Sequence, residues 1–164
     1  MIFLKNCDIN FLPMRNEPFY ADGLKFSCKR CSACCRYDAG FVFLSEKDMN
    51  NLTSALNMKR NEVIKTYCRW VGDWKGDDVL SLREKSNKDC ILWDDGCKVY
   101  NMRPLQCITF PFWESVVSSK GAWEIAAASC PGINSGSLRS KQAIEEDIRL
   151  RSLEPIICKT GSNL

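Results

Sequence analysis

The segment Cys28-Lys29-Arg30-Cys31-Ser32-Ala33-Cys34-Cys35 puts four thiols into eight positions, and no other stretch restricts the chain's chemistry as tightly. In C-x2-C the two-residue turn aims both sulfurs at one point, the geometry of a thiolate pair on a metal. A third cysteine two residues on makes C-x2-C-x2-C. That run supplies three corners of a [4Fe–4S] cluster when a fourth ligand arrives from elsewhere. Cys35 differs, because adjacent side chains point apart in most backbone conformations. It is therefore assigned to a second centre or to another face of a multinuclear cluster.

The chain has 164 residues, enough to bury a core without covalent staples. It is read as one domain, 1–164. Apolar residues are 45 % and charged residues 26 %, a globular balance. There are eleven cysteines and no histidine. The missing imidazole excludes a Ser-His-Asp triad, a Cys-His dyad, HExxH zinc chemistry and a Cys2His2 finger. A net charge of +3 gives no argument for nucleic acid, and no stretch is long and apolar enough for a membrane. Met1–Asn6 lacks a basic region followed by an apolar one, so a secretory signal is not expected. The expected compartment is the cytoplasm, where stable disulfides are rare and cysteine clusters read as metal sites. The odd cysteine count also leaves a thiol over in any full disulfide pairing.

Downstream, Cys90, Cys97, Cys107 and Cys130 bring the candidate ligands to eight, or two sets of four. Four thiolates complete a tetrahedral zinc or a cubane cluster. Cys28, Cys31 and Cys34 then need one downstream partner, and Cys35 joins the rest. Cys7, Cys68 and Cys158 are read as small packed hydrophobes, Cys68 on a helical stripe and the other two alone near the ends.

The pattern predicts a small α+β domain with helices and short hairpins organised around the cysteine sites. Phe41–Leu44 reads as extended. Ser45 and Asp48 make a capping box that opens a helix carrying Met49, Leu52 and Leu56 on one face. A second helix is expected over about 60–71 and a strand at Val79–Leu82. Asp94-Asp95-Gly96 predicts a hairpin between Cys90–Trp93 and Cys97–Tyr100. Ser119-Lys120-Gly121 predicts another, between Phe112–Ser118 and Ala122–Ser129. A helix is expected over about 138–153, with Ile144, Ile148 and Arg151 sharing a face and Glu145 preceding Arg149 by four.

Several of these segments resemble a known family. Cys28-x2-Cys31-x2-Cys34-Cys35-Arg36 is followed by Asp89-Cys90-Ile91-Leu92, Cys97-Lys98-Val99-Tyr100, Arg103-Pro104, Cys107, Phe110-Pro111 and Cys130-Pro131-Gly132. In order and spacing, this series over 26–132 is similar to the zinc- or iron-chelating CxxCxxCC proteins, also called YkgJ-like cysteine-cluster proteins. The resemblance implies that the four downstream cysteines are ligands. Ser32 stands where the family usually has Gly, and Ile108 where Arg commonly follows the cysteine. A similar cluster occurs in flagellin lysine N-methylases, which are longer proteins.

Arg103 is a candidate to donate hydrogen bonds toward cluster sulfurs or a substrate carboxylate. The plainer reading is a local contact while Pro104 starts a helical turn. Lys29, Arg30 and Arg36 would offset thiolate charge. Trp70, Trp74, Trp93, Trp113 and Trp123 read as core and as shielding for a cluster. The leading expectation is a metal-binding protein with an iron–sulfur cluster or zinc, iron–sulfur ahead on the C-x2-C-x2-C run. The alternatives are a metal-dependent protein-modifying enzyme of the lysine N-methylase type and a structural zinc module contacting another protein.

Overall fold

The computed structural model describes residues 17–37, 39–72 and 76–159. The readings of the N-terminus, Cys7 and Trp74 lie outside them. In chain order the elements are β1 (Leu24–Phe26), α1 (Glu46–Leu56), α2 (Arg60–Tyr67), β2 (Cys68–Gly72), β3 (Asp78–Leu82), α3 (Leu105–Thr109), α4 (Glu114–Val117), α5 (Lys120–Ser129), β4 (Ile133–Arg139) and α6 (Lys141–Leu153). Short 3-10 turns lie at Ala33–Cys35 and Tyr100–Met102. Helices with two antiparallel two-stranded sheets, β1–β4 and β2–β3, make the fold α+β, as expected. Packing gathers the chain into two compact units. The first holds Cys35–Ile108 and the segment from Glu154. The second holds the segment up to Cys34 and Thr109–Leu153. No helix among the described residues is long and apolar enough to cross a membrane.

In the first unit the capping box forms as predicted. Asp48 N–H donates to the Ser45 hydroxyl, and Ser45 N–H donates to the Asp48 carboxylate. The helix so opened turns Met49 and Leu52 into the core, where both are fully buried. Extended backbone leads into it, since Leu82 N–H bonds Val42 O and Leu44 N–H bonds Leu80 O. The second helix corrects the expectation: it stops at Tyr67, and Cys68–Gly72 is strand, paired with β3 from Cys68↔Leu82 to Gly72↔Asp78. The aromatic and β-branched pair Trp70-Val71 fits a pleated surface better than a helix end. Cys68 still reaches the core, 1 % exposed, but from a strand. The Asp94-Asp95-Gly96 turn is present, with Asp94 N–H bonded to Gly96 O. Its flanks make only a Trp93↔Cys97 bridge, while Cys90 pairs with Glu84.

The second unit overturns the other hairpin. Its two flanks are the helices α4 and α5. Ser119 caps α5 by accepting from Ala122 N–H. The run Ala126-Ala127-Ala128 favours helix strongly enough that Gly121 in the first turn does not matter. Trp123, 1 % exposed, enters a core with Tyr20, Phe112, Val117, Ile133 and Ile144, and its Nε1–H donates to Asn134 Oδ1 at 2.8 Å. The β1–β4 sheet has no counterpart in the expectations. The last helix begins at Lys141 because residues 133–139 are spent on that sheet. Arg149 pairs with Glu146 at 2.7 Å rather than with Glu145.

Candidate metal centre

The boundary between the units falls between Cys34 and Cys35. Cys28, Cys31, Cys34 and Cys130 therefore lie in the second unit, and Cys35, Cys90, Cys97 and Cys107 in the first. None of the eight is disulfide-bonded.

In the second unit the sheet brings the two ends of the set together. Phe26 pairs with Ile133, Ser27 N–H donates to Gly132 O at 3.2 Å, and Ile133 N–H donates to Cys130 O at 3.1 Å. The loop bearing Cys28, Cys31 and Cys34 thus leaves β1 beside the corner that carries Cys130. Gly132 permits the approach: a Cβ there would lie 2.6 Å from the Ser27 carbonyl oxygen. Within the loop, Arg30 N–H donates to Cys28 Sγ at 3.4 Å. Arg30 and Ser32 are both left-handed, at φ +53° and +62°. Ser32 therefore holds the backbone conformation that favours the glycine it replaces, and the turn is kept at a steric cost. Cys28, Cys31 and Cys34 are exposed, and Cys130 is half-buried.

In the first unit the set is tied more closely to packed structure. Cys90 N–H donates to Cys35 O at 2.8 Å, which lays the two cysteines side by side. Cys90 and Cys97 lean on the core through Leu92 and Val99. Cys107 sits on α3, whose start is held by Leu105 N–H donating to the buried Asp48 carboxylate at 2.8 Å. Gln106 spans the extended segment, accepting from Phe43 N–H and donating to Phe41 O. Among the described residues, no three of the Cys, Asp and Glu side chains yet converge on a common ion position. The chemistry of each donor set, four thiols and no imidazole, suits zinc or iron.

The candidate Arg103 makes local contacts. Its Nε donates to Tyr100 O at 2.8 Å, and its guanidinium lies 3.8 Å from the Tyr100 ring centroid. Pro104 precedes α3, as the plainer reading had it. Cys68 is a packed thiol whose pKa burial pushes up to about 11. Cys158 corrects its reading as a packed hydrophobe: it is disulfide-bonded. A lone cysteine carries no spacing signal that would tell a bonded sulfur from a packed one.

The model of the family described as "putative zinc- or iron-chelating domain" matches residues 27–131, well over half of the chain. The chain belongs to the CxxCxxCC family. It is also similar to an uncharacterized protein of Methanocaldococcus jannaschii, 33 % identical over 104 residues, 62 % of this chain and 52 % of that one. The chain therefore spans about half the length of that curated relative. No solved structure gives a significant match. All eight candidate cysteines fall inside the CxxCxxCC match. Asp48, Asp89 and Gln106, which flank or tie the cysteine segments, escaped the sequence reading as site residues. Only the Asp89-Cys90 adjacency could have flagged one of them.

Proposed function

We propose that this CxxCxxCC chain is a metal–thiolate protein with two four-cysteine centres, one in each unit. Cys28, Cys31, Cys34 and Cys130 would serve one, and Cys35, Cys90, Cys97 and Cys107 the other. The observation that carries the reading is the unit boundary itself, which divides eight thiols four and four between the adjacent Cys34 and Cys35. The N–H···S bond at Cys28 and the side-by-side Cys35 and Cys90 support it. The remaining convergence is closed by the metal, whose binding free energy orders the loops that hold it.

Iron–sulfur is favoured for the second-unit set, because C-x2-C-x2-C with one distant cysteine is the cubane ligand pattern. The test is metal and sulfide analysis with a visible spectrum on anaerobically purified protein, repeated on Cys130→Ser and Cys35→Ser. A brown protein with sulfide, in which the two variants deplete different centres, supports the reading. A colourless protein with stoichiometric zinc would replace iron–sulfur by a structural zinc module. Cys28, Cys31, Cys34 and Cys35 all bound to one mononuclear ion would overturn the partition.

A further inference from the structure

One guanidinium, carried by the neighbour of Cys35, touches residues next to or bridged with two further first-unit cysteines. Arg36 follows Cys35 directly. Its Nε lies 3.5 Å from Asp89 Oδ1, and Asp89 precedes Cys90. Its guanidinium carbon lies 3.9 Å from the centroid of the Trp93 ring, and Trp93 is bridged to Cys97. The Tyr37 ring lies against the same group, at 4.7 Å.

The acceptor side of this arrangement is fixed. Asp89 is 3 % exposed, and its other oxygen accepts from Asn87 Nδ2 at 2.9 Å. Its backbone is held as well, since Asp89 N–H donates to Asn87 Oδ1 and Asp89 O accepts from Lys85 N–H. A buried carboxylate that lost its cation would be left with uncompensated charge, so the pair resists separation. The Cys35–Cys90 backbone bond fixes the distance between those two cysteines. The Arg36–Asp89 ion pair adds a second contact one residue away, between the same two backbone segments. The cation–π contact with Trp93 extends the constraint to the turn that carries Cys97. Lysine has no planar guanidinium with which to face Asp89 and Trp93 at once.

We infer that Arg36, acting through Asp89 and Trp93, is the positioning residue of the first-unit centre and sets its metal affinity by holding Cys35, Cys90 and Cys97 in register. It ligates nothing itself. The inference rests on the two-centre reading above. Supporting groups of this kind typically change metal affinity by about 10–100-fold when removed.

The test titrates Co(II) into metal-free protein against a chromophoric chelator and records the ligand-field absorption of each equivalent. The variants are Arg36→Gln, Arg36→Lys, Asp89→Asn and the double variant Arg36→Gln/Asp89→Asn. One of the two equivalents should weaken by about 10–100-fold with a shifted absorption band, while the other keeps its affinity and spectrum. Lysine should restore only part of the loss, and the double variant should be no worse than the poorer single one. Wild-type affinity and spectrum in Arg36→Gln would overturn the inference. Arg36 is partly exposed, so that variant is readable even if Asp89→Asn fails to fold. Cys35→Ser is the control. If it loses no metal, the two-centre reading itself fails; if it loses one equivalent while Arg36→Gln loses nothing, only the positioning role fails.

Discussion

The two units carry equal numbers of candidate ligands but hold them by different means. In the first, Cys90 and Cys97 lean on Leu92 and Val99, Cys107 rides on a helix anchored to a buried carboxylate, and Cys35 is bonded to Cys90. In the second, three of the four cysteines sit on an exposed segment that leaves β1 and runs into the Ala33–Cys35 turn, where Arg30 N–H donates to Cys28 Sγ. The backbone that carries the first set is held by the same burial that makes the core. The second has little apolar surface to order it, so on the two-centre reading metal would supply what packing does not.

The largest expected difference follows from that contrast. Chelation should open the 28–34 loop, and trypsin should cut after Lys29 and Arg30 an order of magnitude faster than in the metal-loaded protein. Cuts after Lys85 and Lys98 should quicken far less. Equal acceleration at both places, read by mass spectrometry of the fragments, would erase the distinction.

Next in size, Leu92→Ala should cost about 2–5 kcal/mol in urea denaturation, because Leu92 is 1 % exposed between Cys90 and Cys97. It should also strip metal from the first-unit set. No residue of the 28–34 loop has a counterpart whose truncation would do so. If the stability falls while both metal equivalents remain, the core does not support the ligands.

Cys68 sharpens the picture through pH. Its thiol is raised from 9.0 to about 11 by burial. The unfolded chain therefore releases the proton first, and stability is full below pH 9. It should fall as pH rises through the window to about 11, by a total on the order of 2 kcal/mol. Cys68→Ala should abolish that slope and leave metal stoichiometry unchanged. A persistent slope would assign it to other groups.

The smallest effect is expected at Ser32. Replacing this left-handed residue by glycine relieves a Cβ contact but adds freedom to the unfolded chain, for a net gain of about 0.5 kcal/mol. The gain should show as a small rise in Tm with wild-type metal content. Destabilisation instead would mean that the serine side chain contributes to the loop.

The cysteine run, the α1 cap and β3 were readable because each signal is local: a spacing, a Ser-x-x-Asp box, an apolar run. The two helices at 114–129 were missed because Lys120-Gly121 mimics a turn, while the alanines behind it decide the outcome. β4 was missed because Asn134-Ser135-Gly136-Ser137 has no strand propensity, and it exists through its pairing with β1. The same reason hid the ties of the candidate site. Nothing in sequence couples Arg36 to Asp89, Asp48 to Leu105, or Gln106 to the 41–43 segment. These are long-range contacts made by polar side chains, two of them to backbone groups, and periodicity carries no trace of them.

The units are interleaved along the chain, and this sets an order of events during synthesis. β1 emerges early but waits for β4, since Leu24 pairs with Arg139. The first unit's helices and β2–β3 ladder come off the ribosome in between, yet Ile157 must still seat itself between Leu44 and Leu80, bonding Leu44 O and receiving from Leu80 N–H. Each unit therefore stays unfinished until the other has been translated. Local pieces such as α1 can form at once, but ring closure over such spans is slow. A nascent chain stalled near residue 130 would leave both units unfinished, with β1 lacking β4 and Leu44 and Leu80 lacking Ile157.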